Sequence, residues 1–529
     1  MGTFINKGNN AFCEIVQGEY VDKTGLIAEI NATLNTESRY TCVTRSRRFG
    51  KSMAADMLCA YYDKSCDSRD LFDALAIAND ASYGKYLNKY PVIYLDITTF
   101  VTKYGHDDTL VNHIKEDLTD ELLQTYPDIT KSPKDDVMDI LIKIYDKTHE
   151  KFIMIIDEWD AICREYIGDT QKMDDYVKLL RRLFKGNDSK KVFAGAYLTG
   201  ILPVKRYKTQ SALNNFEEYS MVDPAMLAPY FGFTPDEVTE LAHKYNADRE
   251  QLAKWYDGYR LGEEEHIYNP YSVMKAVRRR NYKSYWTATC AYESVADYIS
   301  MNYDGLKDDI ISMIAGGRVH VDTTGFENDP AIIKTKDDVL TILIHLGYLA
   351  YDQNQEECYI PNMEVWREME NAVRICDWDI VSKALLNSRK LLDDTIAMDE
   401  DAVARAIDNV HSEETSILSY NDENSLSCVI SIAYYFARNN YIIHRELASG
   451  KGFADLVMIP RKNIDKPAIV IELKYNHTID TAIDQIHQKN YPQKVADYTG
   501  DILLVGINYD KETKQHTCKI EKNKNGSKV

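Results

Sequence analysis

Apolar and polar residues follow three different patterns along the chain. In residues 1–222, short apolar runs alternate with stretches of helical periodicity, which predicts βαβ units and a parallel sheet covered by helices. In residues 223–410, helical segments dominate and strands largely vanish. In residues 411–529, the order is helix, strand, hairpin strand, helix, strand. We therefore expect three parts with these bounds, of which the middle one is mainly helical.

Individual strands can be predicted in the first and last parts because their apolar runs are short and have polar flanks. The strands predicted in the first part are Tyr40–Thr44, Val92–Asp96, Phe152–Ile156 and Val192–Thr199. Those predicted in the last part are Tyr441–His444, Ala454–Ile459, Ala468–Lys474 and Ile502–Ile507, with helices over Ser425–Arg438 and Thr478–Tyr491.

Length and charge limit the classes of function. At about 150 residues per domain, a chain of 529 residues is long enough for three or four domains. The net charge of −20 disfavours diffuse binding to nucleic acid or to an anionic membrane. Any contact with nucleic acid must therefore be local. Basic clusters at Arg181–Lys185, at Arg278–Arg280 and from Lys511 onward are interpreted first as solvated helix faces or a tail.

Membrane and secretory segments are not evident in the sequence. No apolar run approaches the ~20 residues of a membrane span, and the N-terminus lacks the apolar stretch of a signal peptide. Ten cysteines without a CxxC pair favour reduced thiols and argue against zinc. We expect a cytoplasmic protein that does not engage a membrane.

A nucleotide-binding motif follows the first predicted strand. The sequence Arg45-Ser-Arg-Arg-Phe-Gly50-Lys51-Ser52 lies between that strand and a helix, which is the context of a P-loop. Backbone N–H groups at a helix N-terminus attract phosphate. Lys51, expected to face solvent without ligand, would reach the β- and γ-phosphates, and Ser52 would ligate Mg²⁺. Arg45 replaces the first Gly of the general pattern.

An acidic strand end supplies the second part of the nucleotide site. Asp157 follows the apolar run Phe152–Ile156, where it can hold Mg²⁺ as a Walker-B Asp does, and Glu158 can polarise the attacking water. Thr199, at the end of another predicted strand, could sense the γ-phosphate. The residues expected to bind ATP and its Mg²⁺ are Arg47, Arg48, Gly50, Lys51, Ser52, Asp157 and Thr199.

Two carboxylates and a lysine converge in the last part. Glu472 and Lys474 are two apart on one strand, so they point to the same face. If this strand pairs with the preceding one, Asp455 meets them. Carboxylate oxygens suit hard cations, so Asp455 and Glu472 would hold Mg²⁺, or Mn²⁺ in its place, and Lys474 would stabilise the phosphate. A hairpin that merely exposes two acids and a lysine remains the alternative.

Two further residues fit a phosphodiesterase site. Glu423 precedes a predicted helix and could add a carboxylate to the metal shell. Gln485 lies on the helix that follows the Glu472 strand, where its amide could orient a phosphate or a water. With Glu158 in the front part, the expected catalytic residues are therefore Asp455, Glu472, Lys474, Glu423, Gln485 and Glu158.

Motifs along nearly the whole chain carry a family resemblance. They include Tyr20–Ile27, Arg45–Ser52, Asp157–Asp160, Thr199–Ile201, Ala212–Asn215, Tyr230–Thr234, Trp255–Tyr259, Tyr268–Pro270, Leu346–Leu349 and Pro361–Val365. These motifs resemble the AAA-ATPase-like family of bacterial proteins, which carry a C-terminal nuclease-like domain of the PD-(D/E)XK superfamily. That family's loop is also Arg-rich and lacks the first Gly.

The resemblance implies the α/β fold class and its three parts. These are an N-terminal P-loop NTPase sheet, a mainly helical middle region, and a C-terminal restriction-endonuclease-like domain with an αβββαβ core. The family pattern E-N-S…G-x-x-D…E-L-K…Q-I-x-x-K-x-Y is matched by Glu423, Asp455, Glu472, Lys474, Gln485 and Tyr491.

Two functions of different classes are compatible with the sequence. The first is a metal-dependent nuclease, acting on DNA or RNA, whose access is controlled by ATP. The second is a signalling or scaffold NTPase whose rear fold binds nucleic acid or a protein without cutting. A complete set of two acids and a lysine favours the first, and the acidic chain keeps the second open. The sequence also leaves open a homo-oligomer.

Overall fold

The chain forms two compact units in the computed structural model, which we call the first and second units. The first comprises Met1–Lys307 and Arg318–Met369, and the second Asp308–Gly317 and Glu370–Val529. The structure describes residues 2–105, 107, 109–166, 169–204, 213–286, 295–303, 305–314, 317–326, 333–376, 379–414, 430, 433–434, 436–437, 440–449, 452–461, 464, 466–477, 479–488 and 500–523.

The first unit contains a five-stranded parallel sheet with strand order β2-β3-β4-β1-β5. The strands are β1 Tyr40–Thr44, β2 Val92–Asp96, β3 Phe152–Asp157, β4 Phe193–Gly200 and β5 Glu217–Tyr219. The four strands predicted from the sequence are all present, which confirms the parallel sheet. The short β5 was not predicted, because three residues with two glutamates give no apolar run.

Neighbouring residues of the strands enter two different cores on the two faces of this sheet. Ile93 and Met154 pack into one apolar cluster, whereas Tyr94 and Ile155 pack into the other. A parallel sheet buried on both faces needs near-continuous apolar strands. The helices that cover the sheet are α1 Asn10–Gln17, α2 Gly25–Thr33, α3 Lys51–Tyr62, α4 Arg69–Phe72, α5 Tyr83–Tyr86, α6 Ile97–Tyr104, α7 Leu110–Thr125, α8 Val137–Thr148, α9 Ala161–Glu165, α10 Thr170–Phe184 and α11 Asn187–Val192.

The middle of the chain is mainly helical, as expected. Its helices are α12 Pro235–Tyr245, α13 Arg249–Tyr256, α14 Pro270–Arg279, α15 Val295–Ser300, α16 Leu306–Ile314 and α17 Lys336–Leu346. Its described residues also form five short strands: the hairpin β6 Tyr259–Leu261 and β7 Glu264–Ile267, and a sheet of order β8-β10-β9 formed by β8 Val319–His320, β9 Ala350–Asp352 and β10 Glu357–Tyr359. Strands of two to four residues are too short for a period-two signal.

The second unit contains a five-stranded mixed sheet of order β11-β12-β13-β14-β15. Its strands are β11 Tyr441–Ser449, β12 Gly452–Pro460, β13 Ala468–Tyr475, β14 Ile502–Asp510 and β15 Gln515–Asn523. Only the pair β13 and β14 is parallel. The helices that follow α17 are α18 Met363–Ile375, α19 Asp379–Ile396, α20 Glu400–Glu414 and α21 Ile479–Gln488.

The last strand corrects one interpretation of the sequence. The basic C-terminal stretch was interpreted as a solvated face or tail, but nine of its residues form β15, antiparallel to β14. Its apolar residues Cys518 and Ile520 alternate with Thr517, Lys519 and Glu521, so one face packs on the core while the other stays polar. Across the described residues, no helix combines the length and apolar character needed to cross a membrane.

Candidate functional site

The loop between β1 and α3 has the strand–loop–helix geometry of a phosphate-binding loop. β1 ends at Thr44 and α3 begins at Lys51. Gly50 precedes the helix with φ +91°, a left-handed conformation that favours glycine. The first N–H groups of α3 have no partner within the helix, so they are available to an anion.

The side chain of Lys51 is buried, which contradicts the expectation that it faces solvent. Its Nζ donates a hydrogen bond to the carbonyl oxygen of Ser46 at 3.1 Å and lies 3.9 Å from Glu158 Oε1. Burial lowers the pKa of Lys51, while the carboxylates of Glu158 and Asp157 oppose that shift. Lys51 is therefore held against its own loop, and to reach a phosphate it must leave the Ser46 carbonyl.

Asp157 and Ser52 meet where the end of β3 faces the start of α3. Burial raises the pKa of Asp157 to about 6, and a hydrogen bond from the Ser52 side chain works against this shift. The hydroxyl of Tyr94 lies 3.5 Å from Asp157 Oδ2. A carboxylate and a hydroxyl are hard oxygen donors of the kind that Mg²⁺ prefers. These two residues therefore fit a magnesium ion that accompanies a nucleotide.

Glu158 is held by two cations. Its Oε2 accepts a hydrogen bond from Arg164 at 2.5 Å, and its Oε1 faces Lys51. Arg164 also donates to Asp160 Oδ2 at 3.0 Å. Arg164 was not predicted as a site residue, although its i,i+4 spacing from Asp160 could have suggested the pairing with that aspartate. Glu158 thus has a fixed position beside the P-loop lysine.

Asp160 fixes the end of β4, where Thr199 was expected to sense the γ-phosphate. Its Oδ2 accepts hydrogen bonds from the backbone N–H groups of Ile201 and Leu202 at 3.2 and 2.8 Å. Thr199 is buried and pairs with Val43 of β1. The structure therefore places Thr199 on the strand next to the one that leads into the P-loop.

The arginines of the loop have different positions. Arg45 is fully buried and donates to the carbonyl oxygens of Thr44 and Tyr219 at 2.9 and 2.8 Å, so it supports the loop from beneath. Desolvation lowers its pKa to about 10. Arg48 donates to the Tyr285 carbonyl at 3.0 Å and lies over the ring of Tyr271 at 4.0 Å.

A cavity of about 460 Å³ opens beside the P-loop, within the range of small-ligand sites. Arg47, Arg48, Gly50, Lys51 and Ser52 line its polar end. Its remaining wall is mostly aromatic and aliphatic and includes Tyr20, Val21, Met57, Phe233, Tyr271 and Met274. The sequence did not reveal this wall, because its residues come from segments that only the fold brings together. The cavity offers cations for phosphates and apolar surface for a base.

In the second unit, Glu472 and Lys474 lie together on β13, as their spacing predicted. Both side chains are largely buried, and Lys474 Nζ lies 3.4 Å from Glu472 Oε1. β12 is antiparallel to β13 with Leu456 opposite Ile471, so Asp455 lies one residue beyond the last observed pair. The side chain of Asp455 lies outside the described part of the structure, as does the whole of Glu423.

The surroundings of this pair come from β14 and α21. Glu472 lies next to Gly506 of β14, and a Cβ at Gly506 would be 3.0 Å from Ala482 of α21. The missing side chain therefore lets the helix approach the strand closely. Gln485 is half-buried on the same helix. Among the side chains that the structure describes, no three His, Cys, Asp or Glu residues are grouped to hold a metal ion.

Comparisons with known proteins match both ends of the chain. Residues 8–209 match the family described as predicted AAA-ATPase, and residues 422–519 match the PD-(D/E)XK nuclease superfamily. A protein from the vnfD 5' region of Azotobacter chroococcum mcd 1, itself uncharacterized, is 23% identical over 291 residues. The alignment covers 53% of this chain and 53% of that protein, so it spans about half of the relative's length.

Two solved structures have distant similarity to the chain. The ORC2 protein of Aeropyrum pernix, in ADPNP and ADP complexes, is 12% identical with a TM-score of 0.31, covering 68% of this chain and 98% of that one. A DNA replication initiation factor is 10% identical with a TM-score of 0.24, covering 80% of this chain and 96% of that one. TM-scores this low carry no argument about function.

Proposed function

Because the chain carries a predicted AAA-ATPase domain over residues 8–209 and a PD-(D/E)XK nuclease superfamily domain over residues 422–519, we propose that it is an ATP-controlled, metal-dependent nuclease. The observation that carries the cleavage reaction is the buried pair of Glu472 and Lys474, 3.4 Å apart on β13. A buried carboxylate beside an ammonium can bind a cation and a phosphate at neighbouring positions.

The nucleotide is proposed to bind with its phosphates at the start of α3 and its base in the apolar part of the cavity. Lys51 would exchange the Ser46 carbonyl for the β- and γ-phosphates. Arg47 and Arg48 line the same end of the cavity and add positive charge. Ser52 and Asp157 would hold Mg²⁺, which on binding supplies neutralisation of the phosphate charge.

Hydrolysis of ATP is proposed to need a change at Glu158. In the structure its two carboxylate oxygens face Arg164 and Lys51. When Lys51 turns to the phosphates, one oxygen of Glu158 becomes available to accept the proton of an attacking water. Thr199, on the neighbouring strand, is proposed to sense the γ-phosphate.

Cleavage of nucleic acid is proposed at the β12–β13 site. Asp455 and Glu472 would hold Mg²⁺ or Mn²⁺ with support from Glu423. When bound there, the ion lowers the pKa of a water and neutralises phosphate charge. Lys474 would stabilise charge that develops on the phosphate, and Gln485 would orient the water or the substrate.

The partner in this proposal is DNA or RNA, and the protein acts in the cytoplasm. The middle region, residues 223–410, would report the nucleotide state to the nuclease domain. We also propose that the chain is divided into three parts at residues 222 and 410, and that the protein forms a homo-oligomer. The alternative is a signalling or scaffold NTPase whose nuclease-like domain binds nucleic acid or a protein partner without cleavage, and the net charge of −20 keeps this alternative open.

The proposed site is tested by Asp455→Ala and Lys474→Ala in a nuclease assay with Mg²⁺ or Mn²⁺. Asp455→Ala is expected to abolish cutting, and Lys474→Ala to slow it by orders of magnitude, since one preorganised charge contributes roughly 3–4 kcal/mol at a transition state. Both should stay folded and bind ATP. Asp393→Ala, which changes an exposed aspartate of α19, is the control.

Two results would overturn this assignment in different ways. If the wild-type protein cuts neither DNA nor RNA in either metal, whatever nucleotide is present, the binding-module alternative replaces the nuclease. If the wild type cuts and Asp455→Ala cuts equally well, the protein is a nuclease but the site is elsewhere.

A further inference from the structure

A stretch around α14 is free of acidic residues in an otherwise acidic chain. The chain contains 83 Asp and Glu residues, yet none occurs between Glu265 and Glu293. The basic residues in that stretch are Lys275, Arg278, Arg279, Arg280 and Lys283. Against a net charge of −20, such a stretch marks a local reversal of the surface charge.

The structure brings the end of this stretch to the surface. α14 ends at Arg279, and Arg280 follows as its C-cap with φ +50°. The residues from Arg278 to Asn281 are exposed, and so is Lys283. In the described part of the chain, no carboxylate lies within ion-pair distance of Arg279, Arg280 or Lys283. We call these three residues the α14 basic surface.

One aromatic ring, that of Tyr285, and one buried acid, Glu364, lie beneath this surface. The guanidinium of Arg279 lies 6.0 Å from the centre of the Tyr285 ring, and the ammonium of Lys283 lies 5.6 Å from it. The backbone N–H groups of Tyr285 and Trp286 donate to Glu364 Oε1 at 2.6 and 3.1 Å. The segment that carries the cations is thus fixed, which lowers the entropy cost of binding.

Compensation of the helix dipole explains only part of this pattern. Cations in the last turn of a helix interact favourably with its C-terminus, which accounts for Arg278 and Arg279. It does not account for Lys283, which lies beyond the helix, or for the loss of acids over the whole stretch. The helix dipole alone therefore does not explain this charge pattern.

We propose that the α14 basic surface binds the phosphate backbone of nucleic acid. This rests on the proposed function in one respect, namely that nucleic acid is the substrate of the second unit. Phosphate contacts by exposed Arg and Lys provide affinity and position without reading sequence. In a chain with this net charge, such a local surface supplies the attraction that the rest of the molecule lacks.

The opposite face of α14 belongs to the nucleotide cavity. Tyr271, Met274 and Arg278 line it, at the three- and four-residue spacing of one helix face. One helix therefore contacts both the nucleotide cavity and the proposed phosphate-binding surface. If a bound nucleotide changes the affinity of this surface for nucleic acid by some factor, nucleic acid must change the affinity for the nucleotide by the same factor.

The test is binding of fluorescein-labelled DNA duplex, and of single-stranded RNA in parallel, to the full-length protein in EDTA, where the metal-dependent site is silent. The double variant Arg279→Gln/Lys283→Gln leaves the cavity residue Arg278 and the C-cap Arg280 intact. For the duplex, two lost phosphate contacts should make the plot of log K against log salt shallower by about 1.8, at about 0.9 per contact. ATP affinity should not change.

The control is Lys131→Gln/Lys134→Gln, which removes the same charge from an exposed loop before α8. It is expected to keep the wild-type slope. Equal slopes for the wild type and the α14 variant would overturn the proposal, and so would an equal loss in the control, which would show an effect of net charge. If the wild type binds poly-glutamate as tightly as nucleic acid, and the α14 variant weakens both to the same extent, the surface is assigned to an acidic protein instead of nucleic acid. This test measures binding and not cleavage, so its result can be interpreted even if the protein proves not to be a nuclease.

Discussion

The ammonium group of Lys51 lies 3.1 Å from the carbonyl oxygen of Ser46, and this contact shows what the sequence could and could not predict at the residue scale. The Gly-Lys-Ser tripeptide and the two acids at the end of β3 were visible in the sequence because they are local motifs with fixed spacing. The resting position of Lys51 and the pairing of Glu158 with Arg164 were not, because both depend on contacts between separate segments. The same holds for Tyr271 and Met274, which reach the cavity from α14.

At the residue scale, we predict that Glu364 makes the stability of the protein depend on pH. Its carboxylate is buried and accepts hydrogen bonds from Ser272 Oγ and two backbone N–H groups. Burial raises its pKa to about 7 from 4.5, and nearby Glu368 adds to the shift. Its stabilising contribution is therefore complete below pH 4.5 and is lost as the pH rises through about 7. Relative to Glu364→Gln, the wild type should lose on the order of 3 kcal/mol over this range.

Thermal unfolding of both proteins from about pH 5 to pH 8 measures this difference. The melting temperature of Glu364→Gln should rise relative to the wild type as the pH increases. Glu240→Gln, at an exposed position of α12, should show no such trend. A gap between Glu364→Gln and the wild type that stays constant with pH would show that Glu364 is not a buried acid in solution.

At the scale of elements, the P-loop is held by the middle region as well as by its own sheet. The backbone N–H of Gly232 donates to the carbonyl oxygen of Phe49 at 3.2 Å, and the Phe49 ring packs edge-on against Tyr259. The Tyr259 hydroxyl donates to the carbonyl oxygen of Gly347, at the end of α17. Long apolar strands and helices were predictable from periodicity, but these contacts involve short strands and turns that have none.

At the scale of elements, we predict that a side chain at Gly347 disturbs the P-loop. It caps α17 with φ +88°, and a Cβ there would lie 2.5 Å from Ser46 Cβ in the P-loop. Gly347→Ala should therefore displace the loop and weaken ATP binding, as measured by calorimetry. Gly305→Ala is the matched control, since it has φ +81° but no atom closer than 3.7 Å. Both variants should lose about 1–2 kcal/mol of stability from the left-handed conformation.

ATP affinity separates the two glycine variants. Only Gly347→Ala is expected to bind ATP more weakly than the wild type. Equal ATP affinity of the two variants would mean that the end of α17 does not constrain the loop.

At the scale of the whole molecule, the proposed function requires a nucleotide site and a cutting site in one chain. The fold class and the two matching domains were predictable, because each domain carries long periodic elements and motifs with fixed spacing. The effect of one site on the other was not, because it depends on how strongly the nucleotide favours one conformation over another. If ATP and ADP bind two conformations with different affinities, and these conformations cut at different rates, the cutting rates in their presence must differ.

The most direct test is the rate of nucleic-acid cleavage by the full-length protein in ATP, in ADP and without nucleotide. Lys51→Met, which removes the P-loop ammonium and keeps an apolar side chain of similar length, is measured alongside. The wild-type rate should depend on the nucleotide, whereas Lys51→Met should cut at the nucleotide-free rate under all three conditions. Identical wild-type rates in ATP, in ADP and without nucleotide would contradict the account, because the two sites would then be joined only by the chain.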